Sequence, residues 1–215
     1  MAYYPIFLEL AGRPCLVIGG GEVAQRKAEG LLQAGAWVRV ISPALTPALE
    51  ALKTEGRLDH VAREYREGDL EGCELCLVAT DDRSVNARVA REGRRRRVWV
   101  NISDDARSCD FILPSVVRRG EVVVAASTGG ASPALARRLR EELEAYLSEE
   151  IPALAELLRE VRQELRKGGI SVEADAWQRA IDGRLRALLA QGRYGEARTR
   201  LLASLGVKPG TRNEV

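Results

Sequence analysis

The chain is short of several things that usually announce a function. Among its 215 residues are one histidine, one methionine and four cysteines. His60 stands in Leu58-Asp59-His60-Val61 with no second histidine and no nearby cysteine, so it reads as a strand residue and not a metal ligand. Cys73-Glu74-Leu75-Cys76 has the C-x-x-C form, but no second Cys or His pair accompanies it. A structural zinc site takes four ligands, so no metal site is expected. No apolar run reaches the roughly 18 residues of a membrane span, so no membrane partner is expected. Met1-Ala2-Tyr3-Tyr4-Pro5 lacks the basic-then-apolar pattern of a secretory signal. A cytoplasmic location, and with it reduced cysteines, is the expectation. An excess of one charge is also missing: 33 Lys and Arg against 31 Asp and Glu leave +2. The run Arg94 to Arg97 has no aromatic platform beside it and reads as a solvated helix end, where cations suit the dipole. No nucleic-acid partner is expected.

What is present is the composition of a soluble globular protein, 46% hydrophobic and 30% charged. The first half alternates strand and helix. Apolar runs at 14–18, 37–41, 58–62, 74–79 and 97–102 read as strands, and helical spacing covers 22–33, 47–53 and 82–92. In 22–33, Val23, Lys27, Leu31 and Ala34 share one side. This order means βαβ units and a parallel sheet. From Phe111-Ile112-Leu113-Pro114 the pattern changes. Segments 115–118 and 121–127 form a hairpin around Arg119-Gly120, followed by a helix over 134–147 with a stripe of Leu135, Leu139, Leu143 and Leu147. Helices at about 152–167, 173–190 and 194–204 complete the chain.

Gly19-Gly20-Gly21-Glu22-Val23-Ala24 fits G-x-G-x-x-A between a strand and a helix. Gly19 permits the tight turn, Gly21 lets a pyrophosphate approach, and Ala24 lets the helix pack closely on the sheet. The N–H groups at Glu22 and Val23 face a phosphate with the positive end of the helix dipole. The acid that often binds the adenine ribose about 20 residues on is missing. Its place is taken by Ser42, Pro43 and Ala44, the first as a ribose donor and the others as adenine-pocket backbone. These residues do not separate NAD from NADP.

In such sheets, ligands bind at the carboxyl ends of the parallel strands. Gly19 to Val23, Ser42 to Ala44, Ala79-Thr80-Asp81-Asp82 and Asn101-Ile102-Ser103-Asp104 all belong to that rim. Thr80 joins the cofactor candidates. Asp82 is explained as a helix cap. Asp104 has no such task; as an exposed carboxylate it is ionised at neutral pH and can accept a proton. A second glycine loop, Ser127-Thr128-Gly129-Gly130, precedes a helix with Ser132 as cap and Pro133 as first residue. It is an anion cradle in principle.

These motifs, in this order and spacing, resemble the siroheme-synthase N-terminal module, the precorrin-2 dehydrogenase family, whose members are often also sirohydrochlorin ferrochelatases. The matching stretches are 5–7, 17–27, 79–82, 100–104, 111–114 and 127–133. The resemblance implies three parts: a Rossmann-like NAD-binding domain at 1–113, a small α+β dimerisation region at 114–148, and a helical C-terminal domain at 149–215. It implies a homodimer using NAD to oxidise precorrin-2 to sirohydrochlorin in siroheme or related tetrapyrrole biosynthesis. It also implies an essential aspartate at Asp104, with Ser127, Thr128, Gly129 and Gly130 binding the substrate's carboxylates. Fe2+ or Co2+ is a further substrate in members that insert metal; some stand-alone members are dehydrogenases only. The methyltransferase part of fused siroheme synthases is not in this sequence. The rival reading from the residues alone is a non-catalytic NAD-sensing Rossmann module, which needs the first glycine loop but not Asp104.

Overall fold

The computed structural model describes residues 3–103 and 105–207. Residues fall into two compact units, one ending at Leu113 and the other starting at Pro114.

The first unit is built on five parallel strands: β1 (Pro14–Ile18), β2 (Trp37–Ile41), β3 (Leu58–Val61), β4 (Leu75–Val78) and β5 (Trp99–Ile102). Their order is β3-β2-β1-β4-β5. Helices α1 (Glu22–Gln33), α2 (Pro47–Thr54) and α3 (Arg83–Arg96) connect them. The central strands are apolar almost throughout because both faces are covered. Cys15, Val17, Val38, Val40, Leu75 and Leu77 pack on one side with Ala24, Ala28 and Leu31 of α1. Leu16, Ile18, Cys76, Val78, Val100 and Ile102 pack on the other with Val89 and Ala90 of α3. The chain reverses direction across the sheet between β1 and β4, the neighbouring strands at its centre. Such a switch point opens a crevice at the strands' carboxyl ends.

α3 runs four residues beyond the expected 92. Arg94, Arg95 and Arg96 form its last turn, and Arg97 ends it in the left-handed conformation at φ 60°. The arginine run thus is a helix end. It also clamps the loop before β4. Arg95 pairs with Glu67 at 2.7 Å, and Arg96 with Glu92 at 2.6 Å and Glu71 at 3.4 Å. Glu92 is fully buried and accepts from the Tyr65 hydroxyl and the Gly68 N–H.

The second unit holds an antiparallel pair, β6 (Ser115–Arg119) and β7 (Val122–Ala126), with α4 (Pro133–Tyr146) packed on it. No side chain of α4 is buried, and Leu135 is 51% exposed. Helices α5 (Ile151–Lys167), α6 (Ala174–Ala180), α7 (Gly183–Ala190) and α8 (Tyr194–Ser204) enclose their own core around Leu157, Val161, Leu185 and Leu201. The hairpin and this bundle share one compact unit, joined where Pro152 lies under Gly120 and Arg159 pairs with Glu121 at 3.4 Å. The single helix expected over 173–190 is two. Asp182 breaks it by accepting the Leu185 N–H at 2.8 Å as the N-cap of α7, a role its short carboxylate fills better than a helix interior.

Candidate functional site at the carboxyl ends of the sheet

Backbone hydrogen bonds align the four rim segments. Gly19 N–H donates to Ile41 O at 2.9 Å, and Ala79 N–H to Ile18 O at 2.8 Å. Ser42 N–H donates to Val61 O at 3.3 Å, and Ser103 N–H to Val78 O at 3.0 Å. The sheet therefore brings Gly19–Val23, Ser42–Ala44, Thr80 and the end of β5 to one edge.

The three glycines have different reasons. Gly19 has φ +116°, and a Cβ there would lie 2.2 Å from Ala79 O. At Gly20 a Cβ would lie 1.9 Å from Ala44 O, because Thr46 N–H reaches Gly20 O at 3.0 Å and draws the 42–46 loop close. Gly21 is not strained, and nothing lies within 4 Å of its added Cβ. It is the N-cap of α1 yet supplies no side-chain cap. An uncapped helix start beside open space at a switch point fits a dinucleotide pyrophosphate. Glu22 and Val23 are exposed on its first turn, with Val23 at 41%.

Ser42 is buried, and its hydroxyl donates to Ala44 O at 2.7 Å. The expected ribose donor is thus committed to its own loop; toward a ligand this oxygen can only accept. Pro43 and Ala44 are exposed beside it. His60 on β3 lies 2.9 Å from Ser42 O through Nε2. A carbonyl only accepts, so Nε2 carries the proton and His60 braces this loop. Thr80 Oγ1 accepts from Asp82 N–H at 3.2 Å, and Thr80 O from the Asn86 amide at 3.2 Å. Asp82 caps α3 through Ser84 and Val85 N–H at 2.7 and 3.2 Å. The Ser84 contacts, then Val85, hold its carboxyl below the usual range. Asp104, the candidate proton acceptor, lies outside the described residues.

Sequence reasoning put Lys27 on one side of α1 with Val23, Leu31 and Ala34 but gave it no task. Its ammonium donates to Val78 O at 3.0 Å and to Asn101 Oδ1 at 2.9 Å. Cys109 also joins the rim, accepting from Ile102 N–H at 3.0 Å. A lysine within an apolar stripe was the visible signal for the first; nothing local marked the second.

The second glycine loop lies in the other unit. Thr128 Oγ1 donates to Ser132 O and accepts from Ser132 N–H, both at 3.1 Å. Ser127 Oγ accepts from Gly129 N–H at 3.1 Å, which leaves its proton for another acceptor. Gly129 and Gly130 have φ of +63° and +86°. Their backbone curl is one that only glycine adopts without strain. Ser132 caps α4 through Leu135 N–H at 3.1 Å.

Parallel sheet, strand order and glycine loop define a dinucleotide-binding domain of the Rossmann class. Residues 6–115 match the family described as "Putative NAD(P)-binding", and residues 120–146 match "Sirohaem biosynthesis protein central". The chain belongs to the first of these, the NAD(P)-binding family, whose match covers just over half of it. It is 42% identical over 204 residues to the siroheme synthase of Photobacterium profundum, spanning 94% of this chain and 44% of that protein. A siroheme synthase of Methylococcus capsulatus is likewise 42% identical, over 94% of this chain and 43% of its own length. The chain thus spans less than half of each of these relatives. The solved structure of SirC, a precorrin-2 dehydrogenase, superposes with a TM-score of 0.76 at 28% identity, covering 90% of this chain and 98% of that one. Among the described residues, no helix is long and apolar enough to cross a membrane.

Proposed function

We propose that this chain catalyses the NAD-dependent dehydrogenation of precorrin-2 to sirohydrochlorin, a step toward siroheme or a related tetrapyrrole. The observation that carries the reading is the uncapped start of α1, with open space at Gly21, in a chain similar over nearly its whole length to a precorrin-2 dehydrogenase. Bound NAD+ supplies the hydride acceptor. The chain's own residues bind, orient and take the proton. Gly19, Gly21, Glu22 and Val23 would hold the cofactor's pyrophosphate, and Ser42 would accept from a ribose hydroxyl. Pro43 and Ala44 would line the adenine side, and Thr80 would be a further contact to the cofactor.

Dehydrogenation removes one hydride and one proton from the macrocycle. Asp104 accepts the proton. Precorrin-2 carries many carboxylates, and Ser127, Thr128, Gly129 and Gly130 form the cradle for one of them. Only the Ser127 hydroxyl and the loop's backbone are available to donate there, since Thr128 is spent on Ser132. We further assign the chain to the cytoplasm as a homodimer. Its parts are an NAD-binding domain at 1–113, a dimerisation region at 114–148 and a helical domain at 149–215. Fe2+ or Co2+ is the co-substrate whose insertion into sirohydrochlorin is put to the test below.

The test is anaerobic incubation with fresh precorrin-2, followed by absorbance, with NAD+, with NADP+ and with neither. Nucleotide-dependent formation of sirohydrochlorin is expected, abolished by Asp104→Asn while NAD+ binding persists. Addition of Fe2+ or Co2+ to the same cuvette then reads metal insertion. A dimer that binds NAD+ and oxidises nothing overturns the enzyme reading in favour of an NAD-sensing module.

A further inference from the structure

Lys27 has a place in this site that the cofactor loop does not explain. It projects from the side of α1 whose neighbours Ala24, Ala28 and Leu31 are buried. An apolar side chain would fill such a position without desolvating an ammonium. Lys27 instead reaches across the sheet edge to Val78 O at 3.0 Å and Asn101 Oδ1 at 2.9 Å. Val78 O is also where Ser103 is held, through its N–H at 3.0 Å and its hydroxyl at 3.1 Å. Asn101, only 8% exposed, donates onward to Phe111 O at 3.0 Å and faces Cys109 Sγ at 3.7 Å. The Cys109 thiol accepts from Ile102 N–H at 3.0 Å and lies 3.2 Å from Asp105 O. The two residues flanking position 104 are thus tied down from two sides. Ser103 is fixed through the carbonyl that Lys27 shares, and Asp105 through the thiol that Asn101 faces.

We propose that Lys27, acting with Asn101 and Cys109, is the positioning residue for the loop after β5, whose residues 103 and 105 flank the candidate proton acceptor. This rests on the dehydrogenase reading above. Misplacement of a catalytic group by about 1 Å costs on the order of 100-fold in rate. The role is separate from cofactor binding, which uses the backbone at the start of the same helix.

The experiment compares wild type, Lys27→Met and Lys27→Arg in anaerobic NAD+-dependent oxidation of precorrin-2. NAD+ affinity is measured apart from turnover, by protein fluorescence. Lys27→Met is expected to lower kcat by about 100-fold while leaving NAD+ affinity within about twofold. Lys27→Arg, which keeps charge and donors, is expected to recover most of the loss. Hydrogen exchange reads the loop without any substrate: amides of 103–110 should exchange faster in Lys27→Met, with the rest of the sheet unchanged. If Lys27→Met does not fold, Cys109→Ala loosens the same loop from its other flank and carries the same expectations. Unchanged kcat and unchanged exchange in the variant overturn the proposal. So does a loss matched by equal loss of NAD+ affinity, which would make Lys27 a support of the cofactor loop. An inactive wild type overturns the dehydrogenase reading itself, and the proposal with it.

Discussion

A β-carbon on Gly19 would stand 2.2 Å from the carbonyl oxygen of Ala79. The turn leaving β1 and the end of β4 therefore fit together only with glycine between them. Two residues on, Gly21 has no such neighbour. The two glycines should respond differently to the same change. Gly19→Ala is expected to destabilise the whole first unit, because the clash is with backbone and φ is +116°. Gly21→Ala should leave the thermal midpoint within a few degrees. It should weaken NAD+ binding by at least about tenfold, the methyl standing where the pyrophosphate approaches. Thermal unfolding and an NAD+ titration of both variants check this. Equal stability losses would show that Gly21 serves the fold and not the ligand.

The buried carboxylate Glu92 is expected to dominate the stability of the loop before β4. It takes the Tyr65 hydroxyl, Gly68 N–H at 3.0 Å and Arg96 Nε at 2.6 Å. Burial, then the hydrogen bond to Glu92, pushes the Tyr65 phenol well above its ordinary value. Glu92→Ala takes the acceptor from the Tyr65 hydroxyl and the Gly68 N–H, at about 1–3 kcal/mol for each donor left without a partner, while Arg96 keeps Glu71. Tyr65→Phe removes one bond to a charged acceptor and should cost about 1.5–3 kcal/mol. Urea unfolding of both variants gives the comparison. A Glu92→Ala cost below that of Tyr65→Phe would contradict the placement of the carboxylate at the centre of this cluster.

How far the sequence shows these features depends on how local their causes are. The parallel sheet is visible because each strand is a short apolar run set off by a helix-length segment. The cofactor rim follows from that alternation and from Gly19 to Ala24. Glu92 is not visible: amid Arg91, Arg94 and Arg95 it reads as a solvated charge, and its burial depends on Tyr65 and Gly68, from the segment between β3 and β4, donating to it. Lys27 is half visible. Helical spacing puts it on one side with Val23, Leu31 and Ala34, but its acceptor Asn101 is 74 residues away and is set by strand order. The break at Asp182 is hidden because apolar residues continue through it, and only the capping bond to Leu185 marks the new helix. Ser42 looks like a ribose donor until the 42–46 loop is folded and its proton is found on Ala44 O.

Asp182 should make the helical bundle sensitive to acid. The Arg200 guanidinium, then the Leu185 N–H, hold its carboxyl below the usual range in the folded chain. A carboxyl lowered on folding stabilises the native state above its unfolded value of about 3.9 and ceases to do so as pH falls through its folded value. Asp182→Asn keeps an N-cap oxygen but removes the charge. The variant should be less stable than wild type at pH 7, and the difference should shrink toward zero as pH falls through the lowered folded-state value of the carboxyl. Urea unfolding followed by helical circular dichroism across pH 2–7 measures it. A difference that persists unchanged at the lowest pH would mean the carboxylate's charge is not what Asp182 contributes.

The two hydroxyls of the second glycine loop should divide between substrate and fold. Thr128 both donates to and accepts from Ser132, so its hydroxyl closes the loop onto the start of α4. Thr128→Val removes both bonds at nearly constant shape. It should lower stability by about 1–3 kcal/mol, since each hydrogen bond contributes about 0.5–1.5 kcal/mol. Thr128→Ser keeps both bonds and should be close to wild type in stability. Ser127 only accepts, from Gly129 N–H at 3.1 Å, and its proton is directed elsewhere. If that proton reaches a substrate carboxylate, Ser127→Ala should raise the KM for precorrin-2 by about tenfold or more, as loss of a bond to a charged partner is about 1.5–3 kcal/mol. Its thermal midpoint should hardly move, and its KM for NAD+ should not change. Steady-state kinetics of the three variants under anaerobic conditions separate these roles. A KM effect in Thr128→Ser with none in Ser127→Ala would place the substrate on the other hydroxyl.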